Sequence, residues 1–292
     1  MSNLHNPFVP FDIALQIAFE SGIQIALAED VGTGDLTGLL VPAEQQVKAQ
    51  VIVREDAVLC GAPWFDSVMR RLDDRISVDW CYAEGDAMQA DSVVCKLQAP
   101  ARALLTAERS ALNFLQLLSG VATKTRQYVE TVAGTGATIL DTRKTLPGLR
   151  LAQKYAVRVG GGGNQRLALY DGILIKENHI AAAGGVKLAM EAAHKLNTAL
   201  KEWVSVQIEV EDLQQLGQAL DAGATSILLD NFDLANMRQA VEMTSGRALL
   251  EASGGVNLQT VRAIAETGVD RISIGALTKD VSATDYSLRI IG

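Results

Sequence analysis

Apolar and polar positions follow three different rhythms along the chain. Residues 47–60 (VKAQVIVREDAVLC) alternate, as half-buried strands do, and 76–98 holds two further such runs, SVDWCYA and SVVCKLQA. The turn-rich AEGDAMQAD joins those two runs. This first part predicts a small antiparallel sheet with helices. Residues 103–133 then predict one long helix. Leu104, Leu105, Leu112, Leu115 and Leu118 recur at three- and four-residue steps, and Arg109, Asn113, Gln116 and Gly120 share another face.

From about residue 137 short apolar runs recur: ATILDT, GILIKE, VQIEVE, SILLDN, ALLEAS and RISIGA. Amphipathic stretches such as VKLAMEAAHKL and LQTVRAIAETG lie between several of them. Near-continuous apolar strands alternating with helices predict a parallel sheet covered on both faces. At least six strands predict a barrel, closed or partly open. An open doubly wound sheet fits the same alternation.

The residues following the apolar runs are polar and charged. They are Asp141, Thr142, Arg143 and Lys144; Lys176, Glu177, Asn178 and His179; Glu209 and Glu211; Asp230 and Asn231; Glu251 and Ser253; Ser273 and Gly275. Parallel strands point one way, so these groups are expected on one rim, where such barrels carry their sites. His179 suits either that rim or a structural role.

Composition narrows the chemistry. The 292 residues are 48% hydrophobic and 21% charged, which excludes a disordered or collagen-like chain. The net charge of −8 argues against nucleic acid as the main partner. Yet residues 141–176 carry seven cations and two anions, a local +5 that leaves −13 elsewhere. Such a basic stretch in an acidic protein suggests a small, highly anionic ligand. Ser253-Gly254-Gly255, placed before a helix expected near Leu258, suggests a backbone cradle for phosphate, with Gly275 nearby. The run Gly160–Gly163 reads as a flexible or anion-nesting loop. Glu209 and Asp230 suit Mg²⁺ or sugar hydroxyls. No zinc spacing, nucleophile elbow or Walker loop is present. Three unclustered cysteines predict free thiols, and the N-terminus has no signal-peptide pattern, so a cytoplasmic location is expected.

These strings resemble those of the quinolinate phosphoribosyltransferase family. The resemblance rests on EDVGTGDLT (29–37), ERSALNFLQLLSGVAT (108–123), LDTRKTLPGLR (140–150), KYAVRVGGGGNQR (154–166), LIKENH (174–179), IEVE (208–211), LLDNF (228–232), LEASGGV (250–256) and ISIGALTK (272–279). It implies an α/β protein: an N-terminal α/β sandwich domain over 1–118 and a C-terminal, partly open, about seven-stranded parallel α/β barrel over 119–292. A final helix at 280–292 would pack back on the first domain.

The resemblance also implies transfer of phosphoribosyl from phosphoribosyl pyrophosphate to quinolinate, with decarboxylation to nicotinate mononucleotide. Thr142, Arg143, Lys144, Gln165, Arg166 and Lys176 would hold the quinolinate carboxylates and pyrophosphate. Glu209 and Asp230 would engage Mg²⁺ and ribose hydroxyls, and with Lys144 would form the catalytic set. Ser253, Gly254, Gly255 and Gly275, with Lys279, would cradle the 5-phosphate. Arg109 would reach the site of a partner subunit in a homodimer. One position departs from the family, which usually has His where this chain has Gln165. The expected effect is weaker quinolinate binding or an altered pH dependence. Rival readings are a Schiff-base enzyme using Lys144 or Lys176, a non-catalytic relative, and a sibling enzyme acting on nicotinate.

Overall fold

A computed structural model describes residues 3–200 and 203–291. In chain order its elements are α1 (Ile13–Asp30), β1 (Gln46–Val53), β2 (Ala57–Val58), α2 (Ala62–Leu72), β3 (Ser77–Trp80), β4 (Ala87–Met88), β5 (Val93–Pro100) and α3 (Ala101–Thr131). There follow β6 (Thr138–Leu140), α4 (Arg150–Val159), β7 (Gly172–Ile175), α5 (Glu177–Ala183), α6 (Val186–Ala199), β8 (Ser205–Val210), α7 (Leu213–Asp221) and β9 (Ser226–Asp230). The last are α8 (Leu234–Thr244), β10 (Leu249–Ser253), α9 (Val261–Ala265), β11 (Arg271–Ser273), α10 (Ala276–Lys279) and β12 (Tyr286–Ile290).

Two compact units result. One holds the chain up to Arg126, Thr145–Gly161 and the segment from Leu277 onward; the other holds Gln127–Lys144 and Gly162–Ala276. Compactness therefore divides the chain differently from a single cut at 118/119, because α4 and the C-terminal segment both belong with the first unit.

The first unit is built on an antiparallel sheet in the order β12-β1-β5-β3. Alternating burial along β1 and β5 puts one face into the core, as the period-2 pattern requires. Strand β12 corrects an expectation: the 280–292 segment does not form a final helix. Tyr286, Leu288 and Ile290 alternate with Ser287 and Arg289, which is a strand pattern, and the strand pairs with β1. Aromatic rings fill the core under α1 and α2. Trp64 lies edge-on to Phe19 at 5.0 Å and tilted against Tyr155 at 5.2 Å. Asp12 caps α1 by accepting from the Leu15 N–H at 2.8 Å. The buried carboxylate of Glu84 caps α2, accepting from the N–H groups of Gly61 (2.7 Å) and Ala62 (3.2 Å). Cys60, Cys81 and Cys95 are free thiols.

The second unit is a parallel sheet in the order β6-β11-β10-β9-β8-β7, with helices in the crossovers. Its strands are apolar through their centres, with Ile227, Leu228 and Leu229 all buried. Asp212 and Asp233 cap α7 and α8 at their N-termini. The sheet has six strands rather than about seven. The next place beside β6 is taken by Gly163 alone, which makes a single parallel bridge to Leu140. A Cβ at Gly163 would meet the Leu140 side chain at 2.8 Å, so a larger residue there would require Leu140 to shift. The glycine run is thus packed rather than a flexible anion nest. Within the first unit Gly160 likewise lies against Thr125 of α3. No described helix is long and apolar enough to cross a membrane.

Candidate active site

The C-terminal ends of the parallel strands gather most of the anticipated residues into the second unit. Thr142, Arg143 and Lys144 follow β6, Lys176 follows β7, Glu209 is near the end of β8, and Asp230 ends β9. Ser253 ends β10, with Gly254 and Gly255 after it, and Gly275 follows β11. Gln165 and Arg166 lie on the loop between Gly163 and β7. All of these belong to one compact unit. Arg109 and Lys279 belong to the other, where Arg109 is exposed on α3 and Lys279 pairs with Asp280 at 3.2 Å.

The basic stretch is divided between the two compact units. Arg150, Lys154 and Arg158 sit on α4 in the first unit, and Lys154 there is only 1% exposed. The chain leaves the parallel unit between Lys144 and Gly162. Four cations of the stretch stay with the strand ends: Arg143, Lys144, Arg166 and Lys176.

Two of these cations reinforce each other unfavourably. Partial burial and then the neighbouring Arg143 charge hold the Arg166 guanidinium below its usual pKa, with Asp171 and Glu209 opposing. The Nε of Arg143 is buried with no hydrogen-bond partner among the described residues. An unpartnered guanidinium nitrogen beside a second guanidinium is a poor arrangement until an anion arrives. Arg166 also donates from Nη1 to the Gly172 carbonyl at 3.2 Å, tying its loop to the start of β7.

Lys176 donates to both oxygens of Glu209, at 2.8 and 3.2 Å, across the β7–β8 pair. The Lys176 N–H in turn donates to Nδ1 of His179 at 2.9 Å, so His179 has a structural capping role at the start of α5. Asp230 accepts from Asn231 Nδ2 at 3.0 Å. Asn231 adopts φ +56° and donates its N–H to the Ser253 carbonyl at 2.9 Å, which links the ends of β9 and β10. Gly254, at φ +105°, lies so close to the Asn231 side chain that no Cβ fits between them. Gly255, at φ +60°, faces open space. The Ser253-Gly254-Gly255 turn thus presents exposed backbone. A helix does not follow near Leu258 as expected: Asn257 caps an intervening turn and α9 begins at Val261. The stem of Lys144 runs beside Gly275, where an added Cβ would meet Lys144 Cδ at 3.1 Å.

Among the described residues no group of three or more His, Cys, Asp or Glu side chains could hold a metal. Glu209 and Asp230 remain as two hard-oxygen donors on adjacent strands. That set suits a Mg²⁺ ion whose other ligands come from a phosphorylated substrate and water, not an all-protein cage.

Beneath this rim lies a buried polar layer, and it holds two residues expected on the rim itself, Asp141 and Glu251. Asp141 is fully buried, accepting from Asn164 Nδ2 at 2.7 Å and the Gln165 N–H at 2.9 Å. Gln207 and Glu251 are also buried, and both hydrogen-bond the Gln165 side chain. Gln207 went unnoticed in the sequence. Its signal was a polar residue two before Glu209, on the same strand face.

A parallel α/β unit with a cationic strand-end rim and two carboxylates defines an enzyme of small anionic substrates. This chain belongs to the quinolinate phosphoribosyl transferase family: its residues 35–119 match the family's N-terminal domain and 121–289 its C-terminal domain. It is 40% identical over 262 residues to a probable nicotinate-nucleotide pyrophosphorylase [carboxylating] of Bacillus subtilis, covering 90% of each chain. It is 38% identical over 285 residues to the chloroplastic nicotinate-nucleotide pyrophosphorylase [carboxylating] of Arabidopsis thaliana, covering 92% of this chain and 81% of the other. The solved nicotinate-nucleotide pyrophosphorylase of Francisella tularensis superposes with a TM-score of 0.90 at 42% identity, over 97% of this chain and 98% of that one.

Proposed function

We propose that this enzyme joins phosphoribosyl pyrophosphate to quinolinate, giving nicotinate mononucleotide, pyrophosphate and CO₂ for NAD biosynthesis. The relatives named above carry that activity in their names. The observation that carries the reading to this site is the Arg143–Arg166 pair, two partly buried guanidinium groups of which Arg143 leaves its buried Nε without a hydrogen-bond partner among the described residues. A pyridine dicarboxylate offers two carboxylates to such a pair, whereas nicotinate offers one.

The chemistry requires positioning more than covalent participation. Arg143, Arg166, Lys176 and Thr142 hold quinolinate with its ring nitrogen toward C1 of the ribose. Lys144 and Lys176 neutralise departing pyrophosphate. The Ser253-Gly254-Gly255 turn and Gly275 receive the 5-phosphate. Glu209 and Asp230 face the ribose hydroxyls and balance positive charge developing at C1. The same two carboxylates would hold Mg²⁺, which when bound would neutralise diphosphate charge. The ring nitrogen forms its bond to C1 as the C1–pyrophosphate bond breaks, and the nitrogen becomes cationic. The bond from C2 to its carboxylate then breaks, its electron pair stays on C2 beside that nitrogen, and C2 takes up a proton as CO₂ leaves.

Gln165 supports quinolinate binding without titrating, so Gln165→His is expected to introduce a pH dependence into the KM for quinolinate. Arg109, exposed on α3, is assigned to a second subunit's site. Leu36, Leu39 and Leu40 are exposed in the same unit, apolar surface that a homodimer would cover. A substrate comparison tests the reading. Quinolinate should turn over and nicotinate should not, and borohydride should trap no substrate adduct. Turnover of nicotinate alone, or a trapped lysine adduct, would replace the reading with a rival one.

A further inference from the structure

The interior of a parallel barrel-like sheet is normally filled by branched apolar side chains. Here it contains Glu251, at 0% exposure, and Gln207, at 6%. Burying such groups is unfavourable unless they are hydrogen-bonded, and their arrangement follows a definite sense. Glu251 on β10 accepts from Gln207 Nε2 at 2.9 Å and from Gln165 Nε2 at 3.2 Å on both oxygens. Gln207 on β8 accepts from Gln165 Nε2 on its own Oε1 at 2.7 Å. Gln165 Oε1 accepts from the Arg166 N–H at 2.5 Å.

The carboxylate sets this sense. Both Glu251 oxygens take amide N–H groups, so the Gln207 amide turns its nitrogen toward Glu251. Its oxygen then faces Gln165 and selects that amide's nitrogen. The Gln165 oxygen is left to face the Arg166 backbone. Asp141 holds the same loop from another side through the Asn164 side chain and the Gln165 N–H. The loop is thereby fixed immediately before Arg166, whose guanidinium carries the double-cation site.

We propose that Glu251, acting through Gln207 and Gln165, is a positioning residue that orients the Arg166 loop to receive quinolinate. The relay rests on the proposed function. It predicts that Glu251 governs acceptor binding without touching the acceptor. Glu251→Gln replaces one accepting oxygen with an NH₂ group; placed at Oε1, it faces the Gln165 amide nitrogen, removes one of that nitrogen's two acceptors on the carboxylate and loosens the hold on the Gln165 amide and hence on the Arg166 N–H.

The test uses the full-length enzyme. Quinolinate Kd is measured by titration calorimetry, and KM for each substrate by steady-state assay. Glu251→Gln should raise quinolinate Kd about 10-fold, equivalent to one well-placed hydrogen bond, while KM for phosphoribosyl pyrophosphate stays within about twofold. In a Gln165→Ala background Glu251→Gln should add nothing further, because the relay is already cut. Additive effects, equal weakening of both substrates, or an unchanged quinolinate Kd would each overturn the relay. Should Glu251→Gln fail to fold, Gln207→Met cuts the next link at similar volume and is read in the same cycle. Wild-type turnover is scored first. Its failure counts against the proposed function, whereas wild-type turnover with additive variants counts against the relay alone.

Discussion

Glu84 shows how one buried group sets a response to pH. Its carboxyl accepts from two backbone N–H groups and from the Tyr155 hydroxyl at 2.9 Å, yet burial dominates and pushes its pKa up to about 7. The folded state therefore binds this proton more tightly than the unfolded chain, where the group titrates near 4.5. Its contribution to stability is complete below about pH 4.5 and is lost as pH rises through 7. The predicted loss is about 3 kcal/mol between those limits. Denaturant midpoints at pH 5 and pH 8 should show the decline in the wild type, and Glu84→Gln should flatten that dependence. Nothing in the sequence marked Glu84, because burial depends on the packing of α2 and α4 around it. The polar rim residues were legible because an apolar strand that ends in charge announces its exit. Gln207 was not, because a lone polar residue inside an apolar strand looks like an exposed position until the sheet closes over it.

Helix α3 and strand β12 show what periodicity resolves among the elements. The 3.6-residue spacing located α3 correctly, and its leucine face is buried at Leu104, Leu112, Leu115 and Leu118, whereas Leu105, expected on that face, is exposed. Arg109 and Asn113 on the other face are exposed as expected, but Gly120 on that face is buried. The Ser282 carbonyl, in the segment leading into β12, presses directly on Gly120 and leaves no room for a Cβ. The sequence-based helix at 280–292 concealed this, since a helix there would not have brought that backbone against α3. Strand β12 is further tied to α3 by a 2.8 Å hydrogen bond between Tyr286 and Ser119. Gly120→Ala should therefore destabilise the first unit by about 1–3 kcal/mol through overpacking, seen as a lower thermal midpoint. An unchanged midpoint would mean that the segment before β12 yields freely.

For the whole molecule, the net charge misleads and the linear charge map only partly corrects it. Seven cations between Arg143 and Lys176 read as one cluster, but the fold carries Arg150, Lys154 and Arg158 into the other unit. The class was readable because it follows from local pattern; that α4 and the C-terminal segment pack into the first compact unit was not, because those contacts span long sequence separations. If Arg109 serves a partner's site, Arg109→Ala and Lys144→Ala subunits, each inactive alone, should regain about a quarter of wild-type activity per site when mixed. That fraction follows from random pairing with one intact site per mixed dimer. No recovery after confirmed subunit exchange would exclude a shared site.

The proposed reaction couples bond formation at C1 to loss of one quinolinate carboxylate. The most direct measurement supplies the enzyme with phosphoribosyl pyrophosphate, Mg²⁺ and quinolinate labelled in its 2-carboxylate, and follows labelled CO₂, pyrophosphate and nicotinate mononucleotide together. Equal amounts of all three are expected from the first turnovers. Nucleotide without labelled CO₂, or no product at all, would contradict the proposed reaction.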